Sequence, residues 1–301
     1  MPNTIFQDCE ETQICNGSIL IEGMRFPAHL YAPKTIHSAL AYNARADDIF
    51  IVTMPRSGTT WMQTIVYALL NNGQGFDENL DDFIARNPFL EMHGSNVVEA
   101  MPRPGAIKTH LVFEHIPYHP NAKYICVVRN PKDVCVSFFR FIISLSPEAA
   151  KNLSFDCLFE QFLAGQTGHA DYFDYLFSCW EHRDDPNVLF VLYEDMKANI
   201  RSSIIRVAQF LNIDLNKKLL ERTVLVTQFD YLKQNRFNER IIDSEPSTTI
   251  EFVRKGIVGD WRTVLSDEQS RRLDAHFYEK TRDIPGLNTL WHGYNVFNSC
   301  T

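Results

Sequence analysis

The stretch Asp48-Ile-Phe-Ile-Val-Thr-Met-Pro-Arg-Ser-Gly-Thr-Thr-Trp-Met-Gln-Thr-Ile-Val-Tyr-Ala-Leu-Leu70 decides the fold. Ile49, Phe50, Ile51 and Val52 form an unbroken apolar run, the pattern of a strand buried on both faces. Pro55 ends the ladder, because proline has no N–H to donate. Gly58 allows a sharp turn and a close approach of backbone to a ligand. From Thr60 onward Trp61, Met62, Ile65, Val66, Leu69 and Leu70 recur at helical spacing. The order is strand, tight polar turn, helix. The turn carries Arg56, the hydroxyls of Ser57, Thr59 and Thr60, and free N–H groups at a helix N-terminus. Such a turn is an anion cradle.

Outward from this unit the same alternation repeats. Lys123-Tyr-Ile-Cys-Val-Val-Arg129 reads as a second buried strand, and Asn130-Pro131 breaks it and opens a helix through Arg140. Asn187-Val-Leu-Phe-Val-Leu-Tyr193 reads as a third, followed by a helix marked by Ile200, Ile204, Ile205, Ala208 and Leu211. A short strand over Gly105–Leu111 ends in polar residues. Ser154 and the capping box Ser266-Asp-Glu-Gln269 start further helices. Residues 1–16 read as a loose arm, and residues 17–47 as short strands or loop. Residues 71–105, rich in Asn, Asp, Gly and Pro, read as a long excursion with short helical pieces, the kind of segment that forms lids. The whole is an α/β chain, one domain over residues 1–301, with a mostly parallel sheet covered by helices. Ligands of such sheets bind beyond the carboxyl ends of the strands, where Arg56, Arg129 and Tyr193 stand.

Composition narrows the function. A formal net charge of -8 argues against a general nucleic-acid binder, though a few arginines in a cleft need not show in the total. The acidic N-terminus has no apolar core and is not read as a signal peptide, and no apolar run reaches membrane-spanning length. Seven cysteines scattered without CxxC pairs fit a reducing compartment, so the cytoplasm is the expected location. No HxH, HExxH or paired-carboxylate pattern points to a catalytic metal, and none is expected.

The turn nearly matches a nucleotide-triphosphate loop, but Thr53 and Thr59 stand where that loop needs glycine and lysine. Its cation is Arg56, ahead of the glycine, which suits a shorter anion. Pro-Arg-Ser-Gly-Thr-Thr-Trp61 after a buried strand resembles the 5′-phosphosulfate loop of the cytosolic sulfotransferases. Four more segments match that family in order. Lys108-Thr-His110-Leu resembles its catalytic histidine segment. Val128-Arg129 through Ser137 resembles its 3′-phosphate segment. Tyr193-Glu-Asp-Met resembles the strand end beside adenosine, and Arg254-Lys255-Gly256-Ile-Val-Gly259-Asp-Trp261 resembles its RKGxxGDW signature. Together they span about residues 45 to 262.

The resemblance implies 3′-phosphoadenosine 5′-phosphosulfate (PAPS) as donor, PAP as product, and a small hydroxylated acceptor such as a phenol, catecholamine or steroid. It implies donor contacts at Arg56, Ser57, Gly58, Thr59, Thr60 and Trp61, at Arg129 and Ser137, at Arg254, Lys255 and Gly256, and around the adenine at Tyr193, Thr227 and Phe229. His110 would be the general base, with Lys108, Arg56 and Ser137 as its catalytic companions. A histidine titrates near neutral pH, and strand alternation puts Lys108 and His110 on one face. By rough position and aromaticity, Phe83, Phe89, Phe138, Phe141 and Tyr231 are candidates for the acceptor pocket, although aromatic residues are also ordinary core. Taken singly, Arg129 could be a surface ion pair, and Trp61 and Phe229 core.

The chain departs from the family at two places. Arg56 replaces the usual lysine of the loop, and a lysine is not freely exchanged for arginine. Arg262, Ser266, Asp267 and Arg271 occupy the positions of the dimerisation motif KxxxTVxxxE, so both monomer and homodimer stay open. The competing readings are a P-loop kinase or NTPase with a degenerate loop, and a nucleotide-binding protein without catalysis.

Overall fold

The structure, a computed structural model, describes residues 12–15, 18–28, 30–145, 151, 153–168, 171–234 and 255–297. Three short strands open it, β1 (Thr12–Cys15), β2 (Ser18–Ile21) and β3 (Met24–Pro27), joined as an antiparallel meander. The expected loose arm therefore contains a strand at its end. Glu22 and Gly23 join β2 to β3 with φ of 47° and 76°, the two-residue turn that suits the twist of a hairpin. Helix α1 (Pro33–Leu40) then replaces the strands or loop expected there. Proline fits its first turn, and Ile36 and Ala39, three apart, are the positions it buries.

The central sheet is formed by β4 (Ile49–Thr53), β5 (Ile107–Thr109), β6 (Lys123–Val128) and β7 (Val188–Leu192), in the spatial order β5-β4-β6-β7. All its pairings are parallel, with Val52 opposite both Thr109 and Cys126. Every residue of β4 is buried, as its unbroken apolar run requires. Alternation splits the strands between two cores. Phe50, Val52, Tyr124, Cys126 and Val128 face one. Ile49, Ile51, Ile125, Val127 and Val191 face the other.

Helix α2 (Thr59–Leu70) covers this second face through Met62, Ile65 and Val66. The excursion after it folds into three short helices, α3 (Leu80–Arg86), α4 (Leu90–His93) and α5 (Ser95–Ala100). Between α3 and α4 the chain runs along the outer edge of β5. The Lys108 N–H donates to the Pro88 carbonyl (2.9 Å), and Phe89 forms a parallel bridge with Lys108.

Helices α6 (Pro131–Leu145), α7 (Phe155–Leu163) and α8 (Tyr172–Glu181) follow β6, and α7 is capped as expected by Ser154 (3.1 Å). After β7 come α9 (Tyr193–Ala198), α10 (Ile200–Phe210), α11 (Lys217–Val226) and α12 (Phe229–Gln234). Helix α13 (Asp267–Thr281) starts with both bonds of the capping box from Ser266 and Gln269. Substituting a cap of this kind by alanine costs about 1 kcal/mol. Among the described residues, no helix is long and apolar enough to cross a membrane.

Buried polar groups fasten the turn after β6. Glu194 accepts the Asn130 N–H and side-chain amide on one oxygen (3.0 and 2.7 Å) and the Trp291 indole N–H on the other (2.9 Å). Asp133 accepts the N–H groups of Gly259 (2.8 Å) and Trp261 (3.1 Å), which pins the glycine-rich segment Gly256–Trp261 against α6.

Candidate active site

The parallel strands end on one side of the sheet, and a cavity of about 330 Å³ lies there. Its floor at one end is the loop between β4 and α2. Arg56 stands at a φ of 75° and Gly58 at 104°, left-handed values that turn the chain within a few residues. A Cβ on Gly58 would lie 2.8 Å from a ring carbon of Tyr193, so only glycine lets this ring close on the loop. No side chain caps α2. The N–H groups of its first turn have no partner within the helix, and Gly58, Thr59, Thr60 and Trp61 all line the cavity.

Arg56 Nε donates to Ser137 Oγ (3.1 Å), and its guanidinium lies over the Phe141 ring (4.8 Å). The arginine that replaces the family's lysine thus reaches the expected serine. Arg129, buried at the end of β6, donates to the carbonyls of Arg56 and Ile257 (both 3.2 Å) and stacks on Tyr193 (4.3 Å). It joins three segments of the rim. Trp61 donates its indole N–H to the Thr227 carbonyl (2.9 Å) and meets Tyr193 edge-on. Lys197 lies over both Trp61 (5.6 Å) and Phe229 (5.7 Å). Lys255 pairs with Asp260 (2.8 Å).

His110 lies just past β5. Its Nδ1 is 2.5 Å from the Thr53 carbonyl oxygen, which can only accept. Nδ1 therefore carries the proton, and Nε2 is the accepting nitrogen of the ring. The Thr53 hydroxyl lies 3.2 Å from the same nitrogen and 2.7 Å from the Thr59 hydroxyl, so one strand end connects the imidazole to the anion cradle. The Lys108 ammonium rests on the Phe89 ring (3.9 Å), and that ring meets His110 edge-on (4.9 Å). Burial pushes Lys108 down to about 8; the Glu91 carboxylate opposes this and Arg56 adds to it.

Among the described residues, Arg56, Lys108, Arg129, Lys197 and Lys255 line the cavity and no aspartate or glutamate does, in a chain whose net charge is -8. The cavity also has apolar walls, with Leu30, Tyr31, Phe83, Ile84, Phe89, Met92, Phe141 and Leu232. Gln63, Asn87 and His93 are the polar members there. His93 Nδ1 accepts the Phe89 N–H (3.0 Å), so this ring is neutral and holds its proton on Nε2.

Most of the expected site residues meet at this one cavity, namely Arg56, Gly58, Thr59, Thr60, Trp61, Lys108, His110, Arg129, Ser137, Tyr193, Phe229, Lys255 and Gly256, with Phe83, Phe89 and Phe141. Four do not line it. Ser57 is fully buried and spends its N–H on the Met54 carbonyl (3.1 Å). Thr227 is buried and turns its hydroxyl to Thr223 (2.7 Å), so its part is to hold Trp61 through its carbonyl. Phe138 is buried off the cavity in α6, three residues before Phe141. Tyr231 packs edge-on against Phe76 (5.9 Å) in a satellite cluster. Arg254 lies outside the described residues. Sequence reasoning missed Lys197, although it follows Tyr193 by four in α9 and so shares its face. It also missed Asn87 and His93, which carry no sequence signal of their own. Among the described residues, no group of three or more His, Cys, Asp and Glu is placed to hold a metal ion.

A family model for the sulfotransferase domain matches residues 46–285. The chain is 34% identical to the amine sulfotransferase of Oryctolagus cuniculus over 287 residues, which is 92% of this chain and 95% of that protein. It is 33% identical to sulfotransferase 1E1 of Homo sapiens over 258 residues, 81% of this chain and 86% of that protein. Among solved structures it is similar to mouse sulfotransferase SULT7A1 complexed with PAP, with a TM-score of 0.73, 28% identity, and coverage of 90% of this chain and 96% of the other.

Proposed function

The chain belongs to the sulfotransferase family, and from that premise we propose that it transfers the sulfuryl group of PAPS to a hydroxyl of a small acceptor, such as a phenol, catecholamine, steroid or other alcohol. The observation that carries this reading is a cavity whose described lining holds five cations and no carboxylate, with a histidine of fixed tautomer beside them.

The residues present fit the donor. Arg129 and Ser137, with Lys255 and the undescribed Arg254, supply forked and point-charge partners for a 3′-phosphate. Trp61, Tyr193 and Phe229 offer aromatic faces for a purine, and Thr227 fixes the first of them. Arg56, Thr59, Thr60 and the open N–H groups of α2 would hold the 5′ end. PAPS, when bound, supplies the sulfuryl group and leaves as PAP. His110 Nε2 takes the proton of the acceptor hydroxyl while Nδ1–H stays on the Thr53 carbonyl, which steadies the ring as it gains charge. The acceptor oxygen then serves as nucleophile of an in-line displacement. Arg56 and Lys108 meet the charge that grows on the departing oxygen, as fixed cations do in phosphoryl transfer. We place the reaction in the cytoplasm, in one domain, without a metal, membrane or nucleic-acid partner.

Two features weigh against the competing readings. An NTPase needs a lysine where Thr59 stands, and the Thr59 hydroxyl is committed to Thr53. A protein that only binds nucleotide has no use for a histidine held with one accepting nitrogen. The test is transfer from radiolabelled PAPS to panels of phenols, catecholamines, steroids and other alcohols. His110→Ala should leave PAP binding within about threefold while transfer falls by about 10²–10⁴. A parent protein that neither binds PAP nor transfers to any acceptor would overturn the reading.

A further inference from the structure

Glu91, in α4, is almost fully buried behind His110. One of its oxygens accepts the His110 main-chain N–H (2.5 Å). The arrangement follows from the edge pairing of β5. The Lys108 N–H donates to the Pro88 carbonyl, and a continuing parallel ladder would give the His110 N–H to the Leu90 carbonyl. The chain instead turns into α4 at Leu90, whose carbonyl accepts the Gly94 N–H (2.8 Å), and the Glu91 side chain takes the strand's place.

A neutral amide oxygen would serve that hydrogen bond equally well, and a buried carboxylate is costly unless a charge offsets it. The offsetting charge is the half-buried Lys108 ammonium, seated on the ring of Phe89, which pairs with Lys108 across the same sheet edge two residues before Glu91; Arg56 repels it. We propose that Glu91 is a positioning residue of this site: its carboxylate holds the strand end that carries His110 and serves as the counter-charge that keeps the Lys108 ammonium protonated at neutral pH. The inference rests on the reading of Lys108 and His110 as the groups that meet the transferring sulfuryl.

The groups around Glu91 are Arg25 from β3, Tyr31 from the segment before α1, and Lys108 and His110 from the end of β5. Those around Lys108 are Glu91, Arg56 from the loop after β4, and His93 from the end of α4. Burial raises Glu91 to about 7, opposed by main-chain N–H groups, the Thr109 hydroxyl and Lys108. Carboxylate and ammonium therefore coexist chiefly between the values of about 7 for Glu91 and about 8 for Lys108.

The experiment follows the titration of Lys108 by NMR of 13Cε-labelled lysines in the full chain, parent against Glu91→Gln, which keeps an oxygen for the His110 N–H. The Lys108 pKa should fall by about one unit or more, and the alkaline limb of the transfer rate against pH should move down with it. The reciprocal variant, Lys108→Met, should raise the titration of the Glu91 carboxyl by a similar amount, because the coupling belongs to the pair. If Glu91→Gln does not fold, this second shift decides alone. Unmoved titrations in both variants would leave Glu91 a mere main-chain cap and overturn the inference. A parent that transfers no sulfuryl group would refute the reaction, whereas the NMR titrations still decide the role of Glu91.

Discussion

Gly58→Ala and Gly23→Ala make the same chemical change at two left-handed positions, and they should differ sharply. At Gly23, with φ of 76°, a Cβ would meet nothing within 4 Å. The cost there is the backbone alone, about 1–2 kcal/mol. At Gly58, with φ of 104°, the same Cβ would lie 2.8 and 3.4 Å from two ring carbons of Tyr193. That ring cannot swing away, because it is buried between Arg129 and Trp61. Overpacking adds about 1–3 kcal/mol, for a total of about 2–5 kcal/mol. At roughly 2–4 °C per kcal/mol for a chain of this order of size, Gly23→Ala should lower Tm by about 2–8 °C and Gly58→Ala by about 4–20 °C. Scanning calorimetry measures both. Because a displaced Tyr193 also disturbs Arg129 and Trp61, Gly58→Ala should weaken PAP binding by about tenfold or more, some 1.4 kcal/mol, and Gly23→Ala should not. Equal Tm shifts with unchanged PAP affinity would refute the close approach of ring and loop.

Two further outcomes follow from the buried charges. The Lys108 pKa is lowered, so its cation is present below about 8 and lost as pH rises through that value; PAPS affinity measured by isothermal titration should decline between about pH 7 and pH 9 and do so less in Lys108→Met. Asp133→Ala should cost about 3–5 kcal/mol of stability and lower Tm strongly, because the N–H groups of Gly259 and Trp261 lose their acceptor and the Asn130 amide keeps only Glu194.

What the sequence revealed follows a physical division. Strands β4, β6 and β7 were legible because a parallel strand buried on both faces must be continuously apolar, and Ile49–Val52 and Tyr124–Val128 are. Pro131 and the Ser266 capping box marked helix starts because they act on the adjacent backbone alone. Helix α1 escaped because it buries only Ile36 and Ala39 over its eight residues, too few to establish a period. The loop after β4 was readable as a cradle, yet not which hydroxyl faces inward: Ser57 sits between two left-handed residues, and its orientation depends on the whole turn. Phe138 and Phe141 look alike in sequence, but the packing of α6 buries one and opens the other to the cavity. Glu91 was invisible because its role arises only when residues 86–91 fold back along β5.

The charge pattern of the cavity has a kinetic consequence. At a distance, a multiply charged anion meets a molecule of net charge -8 and is repelled. Both that repulsion and the pull of the cleft cations fade beyond a screening length of about 8 Å at physiological ionic strength. Added salt therefore damps the distant repulsion and the pull at the mouth together, while touching the sheltered contacts less. Small inorganic anions feel the same repulsion and gain no aromatic contact once inside. On the proposed reading the cleft selects by residence time, retaining ligands that bring a flat ring together with their phosphates.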